Sequence, residues 1–196
     1  MSTYFETVQR SYVDVPTEPG VDTLKFLEAT EGLIKMFDLL GNPSFSVVQG
    51  DMNGNVKKIR DRYLATPDKS ATLESLMENE KGEKKKTATE GLLWLIRGLK
   101  FTQVALKRSL NNKQEELSVS FSEAYSVTLK KYHNFVIKPV FALAMKACPY
   151  RATFYGKLGP PEADIDGELE KWLAALEKII AQIEIAFERG QYTKGM

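Results

Sequence analysis

Gly91-Leu92-Leu93-Trp94-Leu95-Ile96-Arg97-Gly98-Leu99-Lys100-Phe101 lies inside a run, from about Thr87 to Leu110, that is apolar on nearly every side when wound as a helix. A helix this greasy must be covered all round, which puts it in the middle of a fold. Asn111-Asn112 closes it, and Lys81-Gly82-Glu83-Lys84-Lys85-Lys86 precedes it as a charged turn. Upstream, a first helix opens near Asp22 or Thr23, carries Phe26, Leu27, Leu33, Ile34, Phe37 and Leu40, and stops at Gly41-Asn42-Pro43. A second runs from about Ser46 to Ala65 on the stripe Met52, Val56, Ile59 and Tyr63. Thr66 then reads as a cap and Pro67 as a first-turn proline for a third helix with Leu73, Leu76 and Met77. Downstream, Ser120 with Glu123 has capping-box spacing and opens a long helix that ends at Cys148-Pro149, with Pro139 expected to bend or interrupt it. A last helix follows Gly159-Pro160-Pro161, with Glu162, Asp164 and Asp166 at its positive end. The period is helical nearly throughout, so the fold class is all-α.

Composition narrows the function. The 196 residues suit one domain, 1–196, with its core over about 22–192. Twenty-seven basic residues stand against 26 acids. That near balance argues against a nucleic-acid partner, which asks for a basic excess. The single cysteine, Cys148, leaves no internal disulfide and fits a reducing cytosol. Met1-Ser2-Thr3-Tyr4-Phe5-Glu6 has neither the basic start nor the apolar stretch of a secretory signal, and no segment approaches the roughly 20 apolar residues of a spanning helix. The expectation is a soluble, cytoplasmic protein that meets membranes peripherally. With one histidine, one cysteine, no HExxH, no phosphate loop and no GxSxG, the sequence offers no catalytic set and implies neither metal nor cofactor.

Three constellations stand out. Asp51, Asn55 and Lys58 fall at i, i+4 and i+7, so an acceptor, an amide and a cation share one helix face beside the apolar stripe. The same face also reads as a solvated surface with an Asp–Lys pair. Calcium is excluded, because Gly54 stands fourth rather than sixth in the Asp51 loop pattern, and Arg62 takes the place of the bidentate glutamate. Trp94 lies between Gly91 and Gly98, spaced to leave room beside an indole for a sugar face or a cation. It also reads as a core tryptophan. His133 falls on the stripe Leu129, His133, Val136 and Val140, where a buried imidazole needs a partner, from the protein or from a ligand. Beside it, Lys131, Tyr132, Phe135 and Lys138 combine cations with aromatics, as suits a membrane interface or an ordinary amphipathic edge.

Asp51-Met52-Asn53-Gly54-Asn55-Val56-Lys57-Lys58-Ile59, Trp94-Leu95-Ile96-Arg97-Gly98-Leu99-Lys100-Phe101 and Lys130-Lys131-Tyr132-His133, in that order and rough spacing, resemble the glycolipid transfer protein family. The resemblance runs from about Leu24 to the end and is strongest to its fungal, heterokaryon-incompatibility branch. It implies a two-layer helical sandwich with a collapsible apolar tunnel, which binds one glycosphingolipid (of galactosyl-, glucosyl- or lactosylceramide type) and makes transient contact with a membrane. It further implies that Asp51 and His133 hold the ceramide amide, that Asn55 and Lys58 bind sugar hydroxyls, and that Trp94 lies under the sugar ring. Tyr192 would sit near the headgroup. Phe37, Phe45, Phe101, Phe121, Leu129, Val136, Phe141, Phe154 and Phe187 would line the tunnel, and Lys131, Tyr132, Phe135 and Lys138 would dock the membrane. Two positions depart from the animal members: Phe135 replaces a tryptophan, and Glu90 an apolar residue. The alternatives are ceramide-phosphate transfer, which Lys58 and Arg97 leave open, and a helical adaptor or lipid sensor without transport.

Overall fold

The computed structural model describes residues 2–194; Met1, Gly195 and Met196, at the ends of the expected domain, lie outside the described residues. The described chain folds as nine α-helices packed as a two-layer sandwich. They are α1 (Tyr4–Thr7), α2 (Thr23–Met36), α3 (Ser46–Ala65), α4 (Leu73–Glu80), α5 (Thr87–Asn111), α6 (Leu117–Val127), α7 (Ile137–Lys146), α8 (Arg151–Leu158) and α9 (Ile165–Gly190). The helix expected at the centre is there: α5 touches α3, α4, α6 and α9, and buries Leu92, Leu95, Ile96, Leu99, Phe101, Ala105 and Leu106. On α9, Trp172 is buried against Phe5 and Tyr12, so the amino-terminal segment is packed into the same core.

Three local expectations change. Thr66 does not cap a helix; its hydroxyl donates back to the Arg62 carbonyl, and Pro67–Lys69 forms only a 3-10 turn. The helix begins at Leu73 under a capping box of Thr72 and Ser75, because residues 71–73 first pair with the backbone of 21–23 through Thr23 N to Ala71 O and Leu73 N to Val21 O. Ser120 likewise is no cap: α6 has already opened at Leu117, and the Ser120 hydroxyl donates to Glu115 (2.7 Å).

The third change matters most for the site. The expected long helix stops at Val127 and resumes at Ile137, leaving 128–136 as a non-helical connector. Pro139 explains where it resumes. Proline has no N–H to donate, and its ring collides with the carbonyl four residues earlier, so it is tolerated only in a helix's first turn. Asn134 starts that turn, its side-chain oxygen accepting from the backbone N–H groups of Val136 (3.0 Å) and Ile137 (3.1 Å). His133 and Phe135 therefore sit on the connector and not on a helix stripe.

α5 is fixed at its start by a buried acid. Glu80, 3% exposed, accepts from Ala88 N (3.1 Å), Thr89 N (2.7 Å) and Thr89 Oγ1 (2.8 Å). A carboxylate there satisfies otherwise orphaned N–H groups and lies at the positive end of the helix dipole. Glu80→Ala should lower the unfolding free energy by about 2–3 kcal/mol, since charged hydrogen bonds to buried donors are lost. Urea denaturation measures this, and an unchanged midpoint and slope would show that the α5 terminus does not depend on Glu80.

Candidate functional site

The site is built on the contact between α3 and α5. Gly91 and Gly98, two helical turns apart, face α3. A Cβ at Gly91 would stand 3.1 and 3.2 Å from Cδ and Cβ of Lys58 and 3.4 Å from the Asn55 carbonyl; one at Gly98 would touch Met52 at 3.6–3.9 Å. The glycines therefore do not open space around the indole, as their spacing suggested. They admit α3 to close range and set its polar face beside the turn that carries Trp94. On that face the amide of Asn55, only 3% exposed, links its neighbours: Nδ2 donates to Asp51 Oδ2 (3.4 Å) and Oδ1 accepts from Lys58 Nζ (3.3 Å).

The connector brings the other half. Trp94 is half-buried, with the His133 ring nearly parallel to it (6.3 Å between centroids, 20° between planes) and the Tyr132 ring edge-on at 6.4 Å. The Arg97 guanidinium lies 4.7 Å from the centre of the Trp94 ring and 3.8 Å from that of Tyr132. It tethers the connector to α5 through two aromatic faces. The His133 ring packs 4.5 Å from Phe141, and Nδ1 lies 3.2 Å from the Tyr125 hydroxyl.

Asp51 and His133, distant in sequence, share an electric field. Burial pushes the Asp51 carboxyl above the usual carboxylate range, with Lys58 and then His133 pulling it back down. Burial pushes the His133 imidazole below its ordinary value, Asp51 opposing and Lys138 adding to the fall.

Beyond this polar cluster runs a file of aromatic rings. His133 contacts Phe141; Phe141 lies 5.3 Å from Tyr125 and 6.4 Å from Phe101; Phe101 meets Phe121 at 5.7 Å; Phe45 follows at 6.3 Å and Phe37 at 5.8 Å. Phe37, Phe121 and Phe154 line an apolar cavity with Leu33, Met36 and Leu106, but its volume is only about 10 Å³. Leu129 is buried in the same core. Two tunnel candidates fall elsewhere. Val136, on the connector, is 58% exposed, because the break turned its supposed stripe outward. Phe187 packs on Tyr192 at the end of α9, outside this file of rings.

Tyr192 is also displaced from its expected role. After α9 the chain turns through a left-handed Gln191 (φ 52°) and lays Tyr192 on α4. There its hydroxyl donates to Glu78 (2.7 Å) and its ring faces Lys81 (5.5 Å). The structure thus gathers Asp51, Asn55, Lys58, Trp94 and His133, and leaves Tyr192 apart. Two residues hold places in the cluster that the reading of the sequence did not give them: Arg97, named there only toward a phosphate, and Tyr125. Arg97 had a signal, since i+3 places it on the face of Trp94. Tyr125 had none, because its approach to His133 depends on the helix break.

Around the connector, Lys131, Tyr132, Phe135 and Lys138 are all exposed, Phe135 at 85%. Val136, Val140 and Leu143 continue outward at i, i+4 and i+7, giving an uncovered apolar stripe flanked by lysines. Among the described residues, no helix is long and apolar enough to cross a membrane.

A family model described as Glycolipid transfer protein (GLTP) matches residues 21–160. The chain is 54% identical over 179 residues to a glycolipid transfer protein of Aureobasidium melanogenum, covering 91% of this chain and 89% of that one. The crystal structure of HET-C2, a fungal glycolipid transfer protein, superposes with a TM-score of 0.91 at 48% identity, over 95% of this chain and 97% of that chain. A structure of FAPP2, which selects simple glycosphingolipids using this fold, gives a TM-score of 0.87 at 30% identity, over 97% of both chains.

His133 is the single histidine, so one imidazole resonance reports on it. Its titration midpoint should fall below 6.5, the ordinary value. Removing the Asp51 charge takes away the influence that favours the imidazolium, so Asp51→Asn should lower the midpoint further. Lys138→Gln removes a repelling cation and should raise it. A wild-type midpoint above 6.5, or one raised by Asp51→Asn, would contradict the shared field.

Proposed function

The chain belongs to the glycolipid transfer protein family, and from that premise we propose that it takes one glycosphingolipid at a time from a membrane and carries it to another without covalent chemistry. The observation that carries this reading is the single cluster in which a carboxylate, an amide and an ammonium lie beside an indole and an imidazole, where a file of apolar rings begins. Asp51 accepts from the ceramide N–H and His133 donates to the ceramide C=O, so both polar groups of a buried amide are paired. Asn55 and Lys58 take hydroxyls of the first sugar, and Trp94 offers its face to the C–H side of the ring. The Arg97 guanidinium already rests on that indole, so the sugar shares the plate with a cation. The lipid chains part the rings between His133 and Phe37.

A sugar fits better than a phosphate at this position. A phosphate dianion is matched by a guanidinium fork, whereas the central group here is an aromatic plate. The whole of 1–196 acts as one lipid-carrying unit on this view, peripheral to membranes on their cytoplasmic side.

The test is vesicle-to-vesicle transfer of galactosylceramide, lactosylceramide, sulfatide and ceramide phosphate. The wild type should move galactosylceramide and lactosylceramide and leave ceramide phosphate behind; the reverse order would replace this function by phosphate-headgroup transfer, and movement of neither would leave a helical adaptor. Trp94→Ala should slow galactosylceramide transfer by about five- to twelvefold, the loss of an aromatic contact of roughly 1–1.5 kcal/mol. Circular dichroism on the same sample should show the fold retained. Near-normal transfer by a folded Trp94→Ala variant would remove the indole from the headgroup site.

The exposed stripe makes the membrane contact. Burying Phe135 in a bilayer surface contributes about 1.5–3 kcal/mol, so Phe135→Ala should weaken vesicle association by about tenfold or more. Binding of a soluble short-chain glycolipid should stay within about twofold, as an exposed side chain outside the cluster predicts. Equal losses in both assays would show that this face does not dock the membrane.

A further inference from the structure

We propose that Tyr125 is the positioning residue of the amide clamp: its hydroxyl donates to His133 Nδ1 and keeps the imidazole proton on Nε2, the donor that meets the ceramide carbonyl. The ligand half of this statement rests on the function proposed above; the state of the imidazole does not.

The contact exists because the helix breaks. On one continuous helix, residues eight apart are separated by about 12 Å along the axis. Here the chain doubles back at once after α6, Lys130 N donating to the carbonyl of Tyr125 itself (3.1 Å) and Tyr132 N to that of Leu129 (2.9 Å). That fold returns His133 to within 3.2 Å of the Tyr125 hydroxyl.

The direction of the hydrogen bond follows from what the phenol can reach. Tyr125 is only 6% exposed, and its ring is held between Phe141 (nearly parallel, 16°, at 5.3 Å) and Phe101 (edge-on, 6.3 Å), so the hydroxyl is kept beside His133. His133 Nδ1 is its one hydrogen-bonding partner among the described residues. If Nδ1 carried the proton, the phenol oxygen would accept it and the phenolic hydrogen would be buried without an acceptor, a cost on the order of 1–3 kcal/mol. With Nδ1 as acceptor, every hydrogen is used and a neutral imidazole keeps its proton on the other nitrogen. Burial of the phenol and of the imidazole keeps both neutral near pH 7, as this arrangement requires.

Tyr125 therefore does two things for a ligand it does not touch. It selects the tautomer, since a proton on Nδ1 would leave Nε2 an acceptor facing a carbonyl oxygen, and it stops the ring from flipping, which would put the Cε1–H edge in place of Nε2. His133 is the only histidine, so both are readable directly. Long-range proton–nitrogen spectra of nitrogen-15 protein at pH 7.5 give the populations of the two neutral tautomers, and galactosylceramide binding is measured on the same samples. The wild type should show a single form with the proton on Nε2. Tyr125→Phe keeps the stacked ring and removes only the hydroxyl; it should give a mixture of tautomers and a loss of galactosylceramide affinity of about five- to tenfold, the worth of one well-placed hydrogen bond. A wild-type spectrum with the proton on Nδ1 overturns the proposal without any variant. So does a Tyr125→Phe protein whose tautomer and affinity are unchanged. Should the wild type bind no glycosphingolipid while its proton sits on Nε2, the proposed function fails, the imidazole assignment stands and the clamp role falls with the ligand.

Discussion

Everything polar in this site hangs on how closely α3 can lie against α5. The approach is tightest at Gly91, where a hydrogen atom stands in place of a side chain; at Gly98 a Cβ would reach only ordinary contact with Met52. A methyl group at Gly91 would press on the stem of Lys58, whose Cβ cannot move without α3, and would stand in contact with the Asn55 carbonyl. Interiors pack to crystal density, so the required shift of a few tenths of an ångström would pass along α3 to Asp51. The glycines cost α5 about 1 kcal/mol each in helix propensity, which the burial of its apolar face and the Glu80 cap more than offset. Close packing is what lets Asn55, itself buried, hold a carboxylate on one side and an ammonium on the other.

The second half of the site comes from a failure of regularity. Had α6 and α7 been one helix, His133 would have stayed on a straight stripe and Tyr125 would have been out of its reach. Pro139 forbids that helix, Asn134 starts the new one, and the nine residues 128–136 between the two segments carry the imidazole inward and Phe135 outward. One break thus supplies both an inner binding surface and an outer apolar one. The two are coupled mechanically: Arg97, stacked on Trp94 and Tyr132, joins the connector to the indole on α5. A movement of the connector at a membrane would be felt at the indole.

These two features also explain what the sequence disclosed. The helices were legible because their apolar periods and end signals are local: Ser46–Ala65, and Thr87 as the start of α5, stand where the pattern put them. Asp51, Asn55 and Lys58 were legible as a set because i, i+4 and i+7 is a property of one helix. The purpose of Gly91 and Gly98 was not, since it depends on which helix lies opposite. Nor was the Tyr125–His133 pair, nor the outward turn of Val136, because proline announces an interruption without saying how long it will be. Tyr192 was misplaced for a related reason: a left-handed residue at Gln191 redirects the last described residues onto α4, where Phe187 of α9 packs on its ring, and nothing in the neighbouring sequence marks that turn.

The polar and apolar halves of the site are built to opposite rules. Asp51, Asn55, Trp94 and His133 already meet, whereas the apolar half is closed around a cavity of about 10 Å³. A carrier has reason to keep it so. An unfilled pocket of the usual size, about 300 Å³, would cost roughly 7 kcal/mol at about 24 cal/mol per Å³. That is comparable to the whole stability of a domain, about 5–15 kcal/mol. An open tunnel would also lie uncovered each time cargo left. Rings that close on one another keep most of that free energy in the fold, and a lipid chain recovers it by replacing their contacts with its own. The exchange is nearly even for the chains, so selection falls to the half that does not move. On the proposed function, two lipids with equal tails are then told apart by whether an amide N–H finds Asp51, a carbonyl finds His133 and a flat sugar face finds Trp94. The glycines and the helix break, by fixing those three in place, fix what the collapsible part will accept.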